Sequence, residues 1–163
     1  MSRSGIVAFA FGVPASLPSN RRISEITTRL ARELNAIVYT QQDVELDSRI
    51  EVFRISEAPG QPPPSLRIAR RAVNWAARWK LGELWIVAAR PHLIRCLRDV
   101  QFAVIEAGIS IQVHPCTDCL NCPETDWFCP DSEQSRTRSR KTWERRERLL
   151  RLMPFWLYQK IAG

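Results

Sequence analysis

The sequence predicts an α/β fold, a Rossmann-like three-layer sandwich with a mostly parallel sheet, followed by a Cys-rich loop and a C-terminal helix. Three observations predict it. Short, continuous apolar runs of strand length recur along the first 115 residues, Ile6–Ala10 and Leu84–Ala89 being the clearest. They alternate with longer segments whose apolar residues fall three and four apart, the spacing of one helix face. Strands that alternate with helices in this way require crossovers, and crossovers build parallel sheets covered on both faces.

The elements follow in order. Ile6–Ala10 is the first strand, and a Pro/Ser-rich loop over Val13–Ser19 leads to a helix that Ser19 or Asn20 is expected to cap. Ile23, Ile26, Leu30 and Leu34 form its stripe and Asn35 closes it. Ala36–Thr40 and, more weakly, Arg49–Ile55 are the next strands. Pro59–Pro64 makes a break, and Ser65 is expected to cap a helix that runs to Lys80, with Gly82 ending it. Pro91 suits the first turn of the following helix, where its missing N–H has no partner in any case. Leu93, Leu97, Val100 and Val104 form that helix's stripe, Gly108 terminates it, and Ile109–Val113 is the last strand. Residues 1–115 therefore read as the Rossmann-like domain, 116–130 as the Cys-rich loop, and 131–163 as a basic linker and a C-terminal helix that packs on the domain.

Composition excludes several function classes. Of 163 residues, six are glycines, scattered at 5, 12, 60, 82, 108 and 163, so the chain has neither a GxGxxG turn nor a P-loop. Only His92 and His114 are present, too few for most metal-hydrolase signatures. Arg3 and the apolar stretch 5–13 loosely resemble a secretory signal, but cleavage would remove the first strand, and the expectation is a cytoplasmic protein. The net charge is +7, and residues 131–163 alone carry nine Lys/Arg against four Asp/Glu. That concentration is either a solvated helix face laced with Glu–Arg pairs or a patch for an anionic partner. The tail's aromatics allow three outcomes: folding back to cover the sheet, lying on an anionic membrane surface, or binding nucleic acid.

In open parallel sheets, ligands bind beyond the carboxyl ends of the strands. Arg22, Gln42, Asp43 and Arg90 fall in such positions and are the expected ligand-binding residues. His92 and Arg95 stand one turn apart at the start of a helix, where a neutral imidazole and a bidentate cation suit a phosphate oxyanion; they are the expected catalytic pair.

The residues from Leu84 to Pro115, LWIVAARPHLIRCLRDVQFAVIEAGISIQVHP, resemble the hallmark segment of the YdcF/SanA/ElyC-like family. There a hydrophobic strand leads to a polar residue, a His-x-x-Arg on the next helix, then glycine and a final strand. The helix carrying Arg29 and the alanine-rich helix 65–80 are also similar. Thr40–Asp43 replaces that family's glycine-rich turn, and Pro64-Ser65-Leu66-Arg67 its Thr-x-x-Asn motif. The resemblance implies a Rossmann-like domain with a phosphate- or nucleotide-like small molecule, or a link to the bacterial envelope. Many members carry an N-terminal membrane anchor, and none is expected here. As an enzyme the chain would be a transferase or hydrolase acting on a phosphorylated substrate, with His92 as acid/base. The alternative is a non-catalytic module for RNA or a membrane surface.

Cys116, Cys119, Cys122 and Cys129 are spaced C-x2-C-x2-C-x6-C, a four-sulfur set within one loop. A structural zinc is the first expectation; an iron–sulfur cluster with a redox role, or disulfides, or free thiols, are the alternatives. Cys96, inside an amphipathic helix, reads as a core residue.

Overall fold

The computed structural model describes residues 3–58 and 62–163. The stretch 5–13 that resembles a signal supplies part of β1 (Arg3–Ala8) and the loop that leaves it. β1 is the central strand of a five-stranded, all-parallel sheet. The remaining strands are β2 (Ile37–Thr40), β3 (Val52–Arg54), β4 (Leu81–Val87) and β5 (Gln112–Pro115), and the spatial order is β3-β2-β1-β4-β5. The helices α1 (Pro18–Leu34), α2 (Ser65–Arg78) and α3 (Arg90–Ala107) form the outer layers, and α4 (Arg140–Leu152) and α5 (Phe155–Ala162) close the chain. The Rossmann-like α/β sandwich expected from the sequence is the fold observed.

Side-chain alternation divides the core into two layers. Val7 and Phe9 face α2 and α3 together with Ile37, Leu84 and Ile86. Ile6 and Ala8 face α1 together with Val38, Val87, Ile23 and Ile26. No helix links β2 to β3. The loop between them takes its place on the α1 side, with Val44 fully buried and Leu46 and Ile50 packed against the same cluster. The weak third strand shrinks accordingly to Val52–Arg54.

Three expected caps differ. α1 begins at Pro18, one residue earlier than Ser19, because a proline at the helix start leaves no N–H unsatisfied. Ser19 and Asn20 are thereby freed to pin the β1–α1 loop. Ser19 Oγ donates to the Phe11 carbonyl at 2.6 Å, and Asn20 Nδ2 donates to the Gly12 and Pro14 carbonyls at 3.0 Å. Ser65 is the first residue of α2 rather than its cap, and its hydroxyl is taken by Asp99. α2 ends at Arg78 and turns through Lys80, at φ +54, while Gly82 lies inside β4. Asn35 and Gly108 close their helices in the left-handed region, as expected. Of the turn expected over Pro59–Pro64, residues 59–61 lie outside the described residues.

Residues 131–163 fold back onto α2, α3 and the loop after β1 rather than onto the sheet itself. Within the basic linker, Ser135–Thr137 forms a 3-10 turn with Thr137 buried, its hydroxyl 2.7 Å from Ser132 Oγ. Gly12, at φ +93, lies against this turn; a Cβ there would come within 3.0 Å of both hydroxyls. Trp143 of α4 joins the α1-side core, and Leu150, Tyr158 and Ala162 pack on Leu66. Among the described residues, no helix is long and apolar enough to cross a membrane.

Candidate anion-binding site

The strand order reverses between β1 and β4, since the chain leaves β1 toward β2 and later returns to β4 on β1's other side. Beyond the carboxyl ends of the strands at this point lies a cavity of about 110 Å³. Phe11 and Gly12 enter it from the β1 loop, Gln41 and Asp43 from the β2 loop, and Ser65 and His92 from the first turns of α2 and α3. The tail supplies the remaining wall, with Arg136, Trp143, Arg146 and Tyr158. Two helix N-termini therefore face one space, and neither carries an acidic residue in its first turn. The N–H groups that open α2 and the dipoles of both helices favour negative charge there, whereas at α3 Pro91 has no N–H and those of His92 and Leu93 donate to the Ala89 carbonyl.

His92 is 8% exposed, and neither ring nitrogen has a hydrogen-bond partner among the described residues. The imidazole is boxed by Phe9, Phe11 and Trp143, with centroids 6.1, 6.1 and 5.2 Å away. Burial holds its pKa well below the ordinary 6.5, and the charges of Arg95, Arg136 and Arg146 push the same way. The imidazole is therefore neutral near pH 7, as expected from the sequence. An unfolded histidine takes up a proton below about pH 6.5 that the folded one refuses, so folding stability falls as pH drops through that range. The expected slope approaches about 1.4 kcal/mol per pH unit from this group. Urea unfolding of wild type and His92→Gln across about pH 7.5 to 5 measures it, and the variant is expected to lose that part of the slope.

Arg95 is held more tightly than a free oxyanion clamp would be. It shares its Nε–H between the two carboxylate oxygens of Glu147, at 3.1 and 3.0 Å, and both side chains are only 7% exposed. Its Nη1 donates to Ser65 Oγ at 2.8 Å, and the Ser65 hydroxyl donates to Asp99 Oδ2 at 2.7 Å. The Tyr158 hydroxyl donates to the same Asp99 oxygen at 2.5 Å. The Arg95 guanidinium also lies over the Trp143 ring, 5.5 Å from its centroid. This buried network ties α3 to α2, α4 and α5, and it builds one wall of the cavity.

The uncommitted cations are two arginines that the sequence did not single out. Arg136 and Arg146 are half-buried, line the cavity, and have no hydrogen-bond or ion-pair acceptor among the described residues. Burial brings the Arg136 pKa down to about 10, with the neighbouring charges of Arg146 and Arg95 adding to the effect. Arg146 is lowered in the same way, by burial first and then by Arg95. Opposite them, burial raises the Asp43 pKa, with Glu57 and Glu133 contributing. Glu147 offsets only part of the charge of Arg95, Arg136 and Arg146, and the remaining, partly desolvated positive charge is relieved by an anion.

Of the six residues expected around a ligand, His92, Arg95 and Asp43 line the cavity. Arg22 does not; it reaches Asp126 at 3.0 Å and Glu25 at 2.9 Å and joins α1 to the Cys-rich loop. Gln42 is exposed and points its backbone N–H at Glu57, while its neighbour Gln41 lines the cavity, its Oε1 accepting the Ala10 N–H at 2.9 Å. Arg90 is exposed beside a separate groove with Trp127 and Arg140.

The four loop cysteines are only partly gathered. Cys116 and Cys119 are buried together, and the neighbouring Cys119 thiol holds the Cys116 thiol below the usual thiol range. The Cys122 thiol donates to the Asp118 carbonyl at 3.6 Å, and the Cys129 N–H donates to the Thr137 carbonyl on the tail. Among the described residues, no three His, Cys, Asp or Glu side chains converge in an arrangement that would hold a metal ion.

No protein-family model matches the chain, and no curated protein matches it in sequence.

Proposed function

We propose that the chain binds a phosphate- or nucleotide-like small molecule in the cavity beyond the carboxyl ends of β1, β2 and β4. The observation that carries this is the pair Arg136 and Arg146, half-buried at the cavity wall with no acceptor among the described residues. Two positive charges call for a dianion, and a phosphate monoester carries close to two negative charges near neutral pH. The α2 N-terminus adds backbone donors to the same space, and His92 adds a neutral imidazole whose nitrogens have no partner among the described residues. The YdcF-like character of residues 84–115 supports the same class of ligand.

Titration calorimetry with inorganic phosphate and with a nucleoside monophosphate tests the reading. Saturable binding of either at one site per chain supports it, with the nucleotide tighter if the base is also held. Heats indistinguishable from dilution for both contradict it. For an enzyme, a transferase or hydrolase of a phosphorylated substrate, His92 supplies the acid/base group. His92→Gln is then expected to abolish turnover while retaining phosphate binding. We also propose a cytoplasmic location, which is supported by the part that the signal-like segment takes in the central strand.

A structural zinc in the Cys-rich loop is a second proposal. The C-x2-C-x2-C-x6-C spacing and the shared burial of Cys116 and Cys119 support it. Elemental analysis of protein purified without added metal decides it. About one zinc per chain bears it out. Four titratable loop thiols with no metal exclude it, and iron with sulfide and a visible absorption band replaces it with redox chemistry.

A further inference from the structure

We propose that the outer face of α4 and α5 docks on an anionic lipid surface. On α4, Trp143, Glu147 and Leu150 point inward. Arg145, Arg148, Leu149 and Leu152, spaced three, one and three apart, therefore share the opposite face, and all four are exposed. Leu149 and Leu152 are 67% and 77% exposed, and Trp156, at the start of α5, is 63% exposed. Lys160 lies over the Trp156 ring, 5.4 Å from its centroid. Glu144, the exposed acid of α4, is turned to Arg140 at 2.5 Å.

Large apolar side chains and cations alternating on one exposed helix face are the pattern of an interfacial helix. The apolar groups enter the acyl boundary, tryptophan lies at headgroup level, and the cations meet lipid phosphates. A second copy of the chain fits worse. A two-fold contact through this face would set Arg145 and Arg148 against their own copies, with no acid in the stripe to separate them. Nucleic acid fits worse as well, since a phosphate backbone offers nothing to Leu149 and Leu152. The proposal does not rest on the cavity, whose anion would be bound in solution.

Co-sedimentation tests it, using vesicles of phosphatidylcholine alone and vesicles in which a quarter of the lipid is phosphatidylglycerol. The expected result is binding to the anionic vesicles at least about tenfold tighter than to the neutral ones, weakened by salt. Two sets of substitutions, Arg145→Gln with Arg148→Gln and Leu149→Ser with Leu152→Ser and Trp156→Ser, should each reduce it severalfold. Because these side chains are exposed, both variants should keep the wild-type circular dichroism and melting temperature, and Arg136→Ala should bind vesicles as wild type does. No binding to anionic vesicles, equal binding to neutral ones, or full binding by the apolar variant overturns the proposal. So does a dimer, or an RNA complex, that the same substitutions disrupt while vesicle binding is absent.

Discussion

Replacing Arg136 and Arg146 together by alanine is expected to abolish phosphate binding while leaving the folded chain at least as stable as before. Both guanidinium groups are partly desolvated beside each other and beside Arg95, with no acceptor among the described residues. In the free protein, then, they oppose folding more than they support it, and their removal relieves repulsion. In the complex each would donate charge-assisted hydrogen bonds to the anion. A hydrogen bond to a charged group contributes about 1.5–3 kcal/mol, so each single variant is expected to weaken binding by about ten- to a hundredfold. The double variant should fall below detection by calorimetry, and its urea midpoint should match or exceed that of wild type. A purely structural role for these arginines predicts the reverse pattern, with stability lost and phosphate binding proportionately retained.

Glu147→Ala is expected to destabilise the fold by about 3–5 kcal/mol, because it leaves Arg95 buried without its counter-charge. The remaining Arg95 partner, the Ser65 hydroxyl, is neutral and already engaged by Asp99. Arg136 and Arg146 stand nearby with charge of the same sign, so the new imbalance cannot be shared. An exposed pair supplies the control. Arg3 and Glu51 are 2.8 Å apart but nearly half exposed, and Glu51→Ala should change stability by less than about 1 kcal/mol. Urea unfolding of the two variants measures the contrast. Comparable losses would show that the Arg95–Glu147 pair is not the tie between α3 and α4 that its burial indicates.

Much of the fold was legible because its signals are local. Apolar runs such as Ile6–Ala8 and Leu84–Val87 are buried on both faces, so they appear without alternation. Asn35 and Gly108 mark helix ends through the left-handed backbone they tolerate best. The β2–β3 connection was not legible, because a loop with Val44 buried covers the face where a helix would be expected. Ser65 looked like a cap by residue type alone. Its actual partners, Asp99 and Arg95, are more than 29 residues away in sequence and meet it only after α2 and α3 pack.

The site divides in the same way. His92 was legible from its place at a helix start beyond a buried strand, and Asp43 from its place after another. Arg136 and Arg146 were present in the sequence as an excess of positive charge after residue 130. What the sequence did not reveal is that Ser132 and Glu133 hydrogen-bond to Val13 and hold the tail against the β1 loop, so that two of those charges line the cavity. Arg22 and Arg90 have equal charge and positions beyond strand ends, but Arg22 is neutralised by Asp126 and Arg90 faces solvent. A cation's availability depends on which carboxylates the fold brings near it.

The most direct test of the account is the melting temperature of wild type and of the Arg136→Ala/Arg146→Ala variant in phosphate against chloride at equal ionic strength. A ligand at a hundredfold excess over its dissociation constant stabilises the native state by about 2.7 kcal/mol, which for a chain of this size is a rise of several degrees. That rise is expected for wild type and none for the double variant. No rise for wild type, or the same rise for both proteins, would contradict it.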